Sequence, residues 1–196
     1  FRRVLFRSGS PSVRAFERGL TTPGEFAAAF IGEWQLALEP AAFLEAFAGW
    51  PRGLYEGADA LLRELKGRHR LACLSNTNAL HWRRLSRLQT LLDACFVSHE
   101  TGFVKPDREA FEHALERLGA APSEVYFFDD LLPNVEAARA GLKDLQALAM
   151  VWPEASARQI RRGAQRVVRR ARRARRPRRG RGRCPARADA GADGAL

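Results

Sequence analysis

No apolar run in these 196 residues approaches the ~18 that a membrane-crossing helix needs, and the start carries no secretory signal pattern. Cysteine is scarce. Cys73, Cys95 and Cys184 are three in number and widely spaced, which excludes a disulfide framework and a zinc site and fits a reducing, cytoplasmic compartment. Cys73 lies within an apolar run, so a buried core thiol is expected there. Lysine is absent from Arg158 onward, where 15 Arg face only Asp189 and Asp193. Up to Ala157 the balance reverses, with 18 Lys+Arg against 20 Asp+Glu. The formal charge of +11 is therefore a property of the tail, and the part able to build a core is slightly acidic.

Apolar residues thin out within that tail. Arg169 to Arg183 is almost entirely Arg, Ala, Gly and Pro, and such a segment buries too little surface to offset the entropy of ordering it. Fifteen Arg would bind phosphate backbones with steep salt dependence, so a nucleic-acid-binding protein is one alternative function. Against it, the tail has no aromatic interleaving and no base-reading motif. Arg, Ala, Gly and Pro are also what GC-rich DNA yields when read in a wrong frame. At the other end, Arg3-Val4-Leu5-Phe6-Arg7-Ser8 resembles the translation of a sequencing-library adapter and is expected to be a non-native leader.

Between these ends the pattern is orderly. Pro11 to about Leu54 reads as helical. Thr22-Pro23-Gly24-Glu25 carries a capping-box signature. Phe26, Phe30 and Trp34, then Phe43, Phe47 and Trp50, form aromatic stripes expected to pack as core between helices. From Ala58 helix and strand alternate: helix Ala58 to Lys66, strand Leu71 to Leu74, helix Ala79 to Leu88, strand Ala94 to Ser98, helix Asp107 to Leu118, strand Val125 to Phe128, helix Asn134 to Ala140, strand Leu145 to Val151. This alternation predicts an α/β fold, a parallel Rossmann-like sheet with helices on both faces and a small helical cap.

The chemistry sits where predicted strands stop. Tyr126-Phe127-Phe128 runs into the adjacent carboxylates Asp129 and Asp130. A run apolar on both faces reads as a buried parallel strand, whose carboxyl end is where such sheets place their sites. Two adjacent carboxylates near a sheet repel one another, and a cation such as Mg2+ would relieve this. The plainer reading is a strand, a turn and an Asp helix cap. Ser75-Asn76-Thr77 and the loop bearing Lys105-Pro106 follow the same rule, spaced 30 and 24 residues apart along the series Ser75, Lys105, Asp129. Hydroxyl, amide and ammonium donors suit phosphate oxygens, and paired carboxylates suit Mg2+. Together they would serve phosphoryl transfer, where catalysis is mostly positioning and charge stabilisation.

In order and spacing, LACLSNTNALHWRRL, GFVKPDREAFEHAL and VYFFDDLLPNVEAARAG resemble the second, third and fourth motifs of the haloacid-dehalogenase-like hydrolases. FERGLTTPGEF resembles the start of the helical cap in one subfamily, and the Ser-Asn-Thr-Asn and Phe-Phe-Asp-Asp forms look most like bacterial sugar-phosphate phosphatases of the glucose-1-phosphate phosphatase type. The resemblance implies a phosphatase of small phosphorylated metabolites that works through an aspartyl-phosphate. It implies that Ser75 and the Asn76 amide hold the phosphoryl group, with Thr77 beside them in the substrate loop. Lys105 would neutralise charge, and Asp129 would ligate Mg2+ with Asp130 beside it. Asn134 is expected to be a structural helix cap, and His81 a satisfied surface histidine rather than a substrate contact; Trp82 adjoins it.

The family's first motif, an Asp-x-Asp that supplies nucleophile and general acid, has no counterpart in these residues, nor does its strand. Glycine also follows Ala138 one residue early, at Gly141. The expected organisation is a leader over 1–8, a partial helical cap over 9–54, a Rossmann-like hydrolase core over 55–155 and a disordered Arg-rich tail over 156–196. The chain would then be a fragment without turnover of its own. A haloacid dehalogenase, whose fourth motif lacks the paired Asp, and a non-catalytic scaffold remain alternatives.

Overall fold

The computed structural model describes residues 10–149. The expected leader, the Arg-rich tail and the end of the last predicted strand lie outside the described residues.

Three helices come first: α1 (Pro11–Glu17), α2 (Pro23–Glu33) and α3 (Pro40–Ala48). Each carries proline in its first turn, where the missing amide proton costs nothing. The capping box at α2 forms: Glu25 N–H donates to Thr22 Oγ1, and Thr22 N–H donates to the Glu25 carboxylate at 2.7 Å. Both aromatic stripes close on one cluster of Val13, Phe16, Phe26, Ala27, Phe30, Phe43 and Phe47. Phe16 and Phe26 stack with ring centroids 4.3 Å apart, an arrangement that adds to what area burial supplies.

The alternating part follows as α4 (Ala58–Lys66), β1 (Ala72–Ser75), α5 (Ala79–Trp82), α6 (Ser86–Leu91), β2 (Ala94–Val97), α7 (Ser98–Thr101), α8 (Arg108–Leu118), β3 (Tyr126–Asp129), α9 (Leu132–Gly141) and β4 (Gln146–Ala149). The single helix expected over 79–88 is broken by a 3-10 turn at Arg83–Leu85. The short helix α7 has no counterpart in the sequence reading, because four residues are too few to show a period. The four strands form two parallel pairs rather than the one sheet expected. β1 pairs with β2 in the register Ala72↔Ala94 through Ser75↔Val97, and β3 with β4 from Tyr126↔Gln146 to Asp129↔Ala149. Among the described residues each strand has one hydrogen-bonded neighbour. Side chains join the two pairs instead: Leu74 of β1 packs against the cluster of Phe111, Val135, Ala138, Leu142 and Ala147 that α8 and α9 build beneath β3 and β4.

The first three helices dock onto this part at specific points. Gly19, at φ +71°, lies so close to the His99 backbone that a Cβ there would stand 2.4 Å from its carbonyl oxygen. Only glycine fits both the angle and the space. His81 makes a second joint: its Nε2 donates to the Phe47 carbonyl at 2.8 Å and its Nδ1 accepts from Asn78 Nδ2 at 3.2 Å. The carbonyl can only accept, which fixes the neutral Nε2–H tautomer. His81 is thus satisfied as expected, but half-buried rather than at the surface.

Phe26 is fully buried at the centre of the aromatic cluster. Phe26→Ala should lower stability by about 3–5 kcal/mol, measured as a reduced urea midpoint at unchanged slope. A loss below about 1 kcal/mol would mean that the three helices do not depend on this cluster.

Candidate active site

Ser75 ends β1 and Asp129 ends β3, both at carboxyl ends. Lys105 sits on the loop between α7 and α8 and reaches across. Its Nζ donates to Asp129 Oδ2 at 2.6 Å, and the two side chains are only 10% and 6% exposed. Removal of either partner from a pair so buried leaves an uncompensated charge. The ammonium also lies 5.7 Å from the centre of the Phe127 ring. The Lys105–Pro106 peptide is cis.

The Lys105 backbone is pinned from the other strand pair. Asn76 Oδ1 accepts from Lys105 N–H and Asn76 Nδ2 donates to the Lys105 carbonyl, both at 2.8 Å. The sequence reading gave Asn76 a role through its backbone amide alone; its side chain clamps the lysine loop. Thr77 is buried, and its backbone is gripped by Ser98: Thr77 N–H donates to Ser98 Oγ at 2.9 Å, and that hydroxyl donates to the Thr77 carbonyl at 3.0 Å. Ser98 escaped the sequence reading although it directly follows β2, the position that drew attention to Ser75 and Asp129.

Asp129 is fixed on its other oxygen. Oδ1 accepts from Leu131 N–H at 2.8 Å and from Asn134 Nδ2 at 3.0 Å. Asn134 therefore does not cap α9 as expected. It is buried within the helix, which begins two residues earlier at Leu132, and its amide orients the carboxylate. Asp130 is exposed beside it. Among the described residues, no three His, Cys, Asp or Glu side chains gather as a metal cluster. The donor chemistry still fits Mg2+, because Asp129 presents hard oxygens at a strand end and this ion binds through one or two carboxylates with water and substrate phosphate completing its shell.

Two acidic residues outside the predicted set complete the surroundings. Asp107 accepts from Arg14 Nη2 at 2.6 and 2.8 Å and from Arg18, so α1 is tethered two residues from Lys105. Asp107 makes no capping bond to α8, although it stands at the cap position. Glu17 lies between those arginines on α1. Burial pushes its carboxyl up to about 7 from the ordinary 4.5, against the pull of Arg14 and then of Lys105. Neither residue carried a spacing signal, since α1 and the lysine loop lie ~90 residues apart and only the fold joins them.

This shift sets a pH dependence. A carboxyl whose folded pKa is raised contributes stability that is full below 4.5 and lost as pH rises through about 7. Glu17→Gln should remove that loss, making the variant more stable than its parent at pH 8 by at most about 3 kcal/mol and matching it near pH 4. Denaturant melts at the two pH values read this directly, and an equal decline in both proteins would show that Glu17 is not the group responsible.

Residues 13–141 match the family model of the haloacid dehalogenase-like hydrolases. A sesquiterpene phosphatase of Aspergillus oryzae is 38% identical over 85 residues, covering 41% of this chain and 43% of the relative, so the match spans less than half of that protein. Among solved structures, a HAD family enzyme of Bacteroides thetaiotaomicron, in complex with magnesium and inorganic phosphate, superposes with a TM-score of 0.65 at 21% identity over 81% of this chain and 84% of that one. An L-2-haloacid dehalogenase superposes at 0.53 and 26% identity over 72% and 66%.

Proposed function

The chain belongs to the haloacid dehalogenase-like hydrolases, and we propose that within them it is a Mg2+-dependent phosphomonoester hydrolase of small phosphorylated metabolites, sugar phosphates among them. The observation that carries this reading is the Lys105 ammonium, held 2.6 Å from the strand-end carboxylate of Asp129 by a loop that Asn76 clamps from the neighbouring strand pair. A cation and an acid fixed together at a strand edge are what a phosphoryl group and a hard metal ion would share. Similarity to a protein named as a phosphatase supports the same reading, as does the paired Asp129-Asp130, which favours it over dehalogenation.

Each residue then has a defined task. The Ser75 hydroxyl and Asn76 amide bind phosphoryl oxygens, with Thr77 shaping their loop. Lys105 neutralises charge on phosphate and on the attacking carboxylate. Asp129, oriented by Asn134 and Leu131, and Asp130 would hold Mg2+, which when bound supplies Lewis-acid polarisation of the phosphoryl oxygens. An in-line carboxylate must form the aspartyl-phosphate, and an acid must protonate the leaving oxygen. Asp129 sits where the metal would be held and is oriented there by Asn134. We therefore place nucleophile and acid on an Asp-x-Asp strand outside these 196 residues.

Two measurements test the reading. The chain as given should show no Mg2+-dependent turnover of p-nitrophenyl phosphate above blank. A chain extended upstream by an apolar strand ending in Asp-x-Asp should show it, and should lose it on Asp129→Ala. Turnover by the unextended chain that Asp129→Ala abolishes would show the nucleophile misplaced, and an inactive extended chain would favour a scaffold. Equilibrium dialysis supplies the second readout: Lys105→Ala should weaken inorganic phosphate binding about tenfold or more, whereas unchanged binding would remove Lys105 from the site.

A further inference from the structure

Cys73 and Cys95 are register partners across the β1–β2 pair. Neighbouring strands lie about 4.8 Å apart and registered residues point to the same face, which sets their Cα atoms within the ~4.4–6.8 Å that a disulfide spans. Both are free thiols and both are only part-buried, so a small oxidant has access. Burial, and then the Cys95 thiol beside it, push the Cys73 thiol up to about 12. A raised pKa leaves little of Cys73 as the thiolate that would attack first.

We propose that Cys73 and Cys95 form a redox-responsive dithiol that closes to a disulfide between the two parallel strands when the protein meets a hydroperoxide. The Cys95 sulfur attacks the peroxide oxygen, breaking the O–O bond and leaving a sulfenic acid plus water or alcohol. The Cys73 sulfur then attacks that sulfenic sulfur. The S–O bond breaks, the hydroxyl leaves with the Cys73 proton as water, and the disulfide remains. Two thiols are oxidised by two electrons, and one peroxide is reduced.

The location gives the bond a consequence for the strand edge. Two residues after Cys73 comes Ser75, and three after it the lysine-clamping Asn76; three after Cys95 comes Ser98, which grips the Thr77 backbone. A covalent link two residues upstream would hold these two strand ends at a fixed offset, whatever reaction the edge performs. The proposal does not depend on the phosphatase reading.

The test uses the full chain with Cys184→Ser, which removes the third thiol. After hydrogen peroxide treatment and alkylation under denaturing conditions, the monomer should be lighter than the reduced, unalkylated form by about 2 Da. A cross-linked peptide should join positions 73 and 95, and dithiothreitol should restore two alkylatable thiols. In the Cys73→Ser variant, Cys95 should instead stop at a sulfenic acid that dimedone captures; in Cys95→Ser, Cys73 should stay unmodified. Circular dichroism of the untreated variants checks that each is folded, and the parent's mass and peptide map stand without them. Sulfinic or sulfonic acid at Cys95 in the parent, disulfide-linked dimers alone, or two unreacted thiols would each overturn the proposal.

Discussion

The buried pair of Lys105 and Asp129 constrains more of this structure than any other contact. A charge taken out of water costs several kcal/mol, and the return depends on geometry and on full hydrogen bonding. Asp129 meets that demand with three donors: the lysine ammonium on Oδ2, and the Leu131 amide and Asn134 side chain on Oδ1. Lys105 meets it through a loop with little freedom, its N–H and carbonyl both bonded to Asn76. The polar chain from Asn76 through Lys105 to Asp129 and Asn134 runs from one parallel pair to the other, where no backbone ladder connects them among the described residues.

The aromatic helices depend on this core for their position, and the core responds to them. The buried members of their cluster all come from these helices, with Leu80 and His81 packed against it from outside, and the remaining joints are few. Gly19 comes hard against the His99 backbone, His81 links the Phe47 carbonyl to Asn78, and Arg14 and Arg18 hold Asp107. The last joint carries Glu17 into the neighbourhood of Lys105. A shift of α1 would therefore change the field at the lysine as well as the packing.

Much was legible in one dimension because the signals are local. The capping box at Thr22, the limits Ala58–Lys66 and the aromatic stripes rest on contacts within a few residues. Ser75, Lys105 and Asp129 stand out in the chain because each belongs to a strand end or to the loop beside one. Errors arose where distant contacts overrode local preference. Asn134, expected to cap α9, is drawn to Asp129 instead, and Asp107, expected as the first residue of α8, stands before it and binds Arg14 and Arg18. A side chain able to serve either its own backbone or a buried charge goes to the charge, because charge-assisted bonds are roughly twice as strong.

By itself, then, the sequence determined the alternation of helix and strand, the aromatic make-up of the first three helices, the slightly acidic balance up to Ala157 and the net positive charge from Arg158 onward. It also carried the three motifs by which the family is recognisable, since these are short runs whose spacing is their meaning. Only the tertiary structure decided that Asn76 clamps the lysine loop, that Ser98 holds Thr77, that Glu17 neighbours Lys105, and that Cys73 faces Cys95. Each of those joins residues 20 to 90 positions apart, and a separation of that length leaves no periodic trace in the chain. Such contacts exist only once the strands have chosen their partners and register.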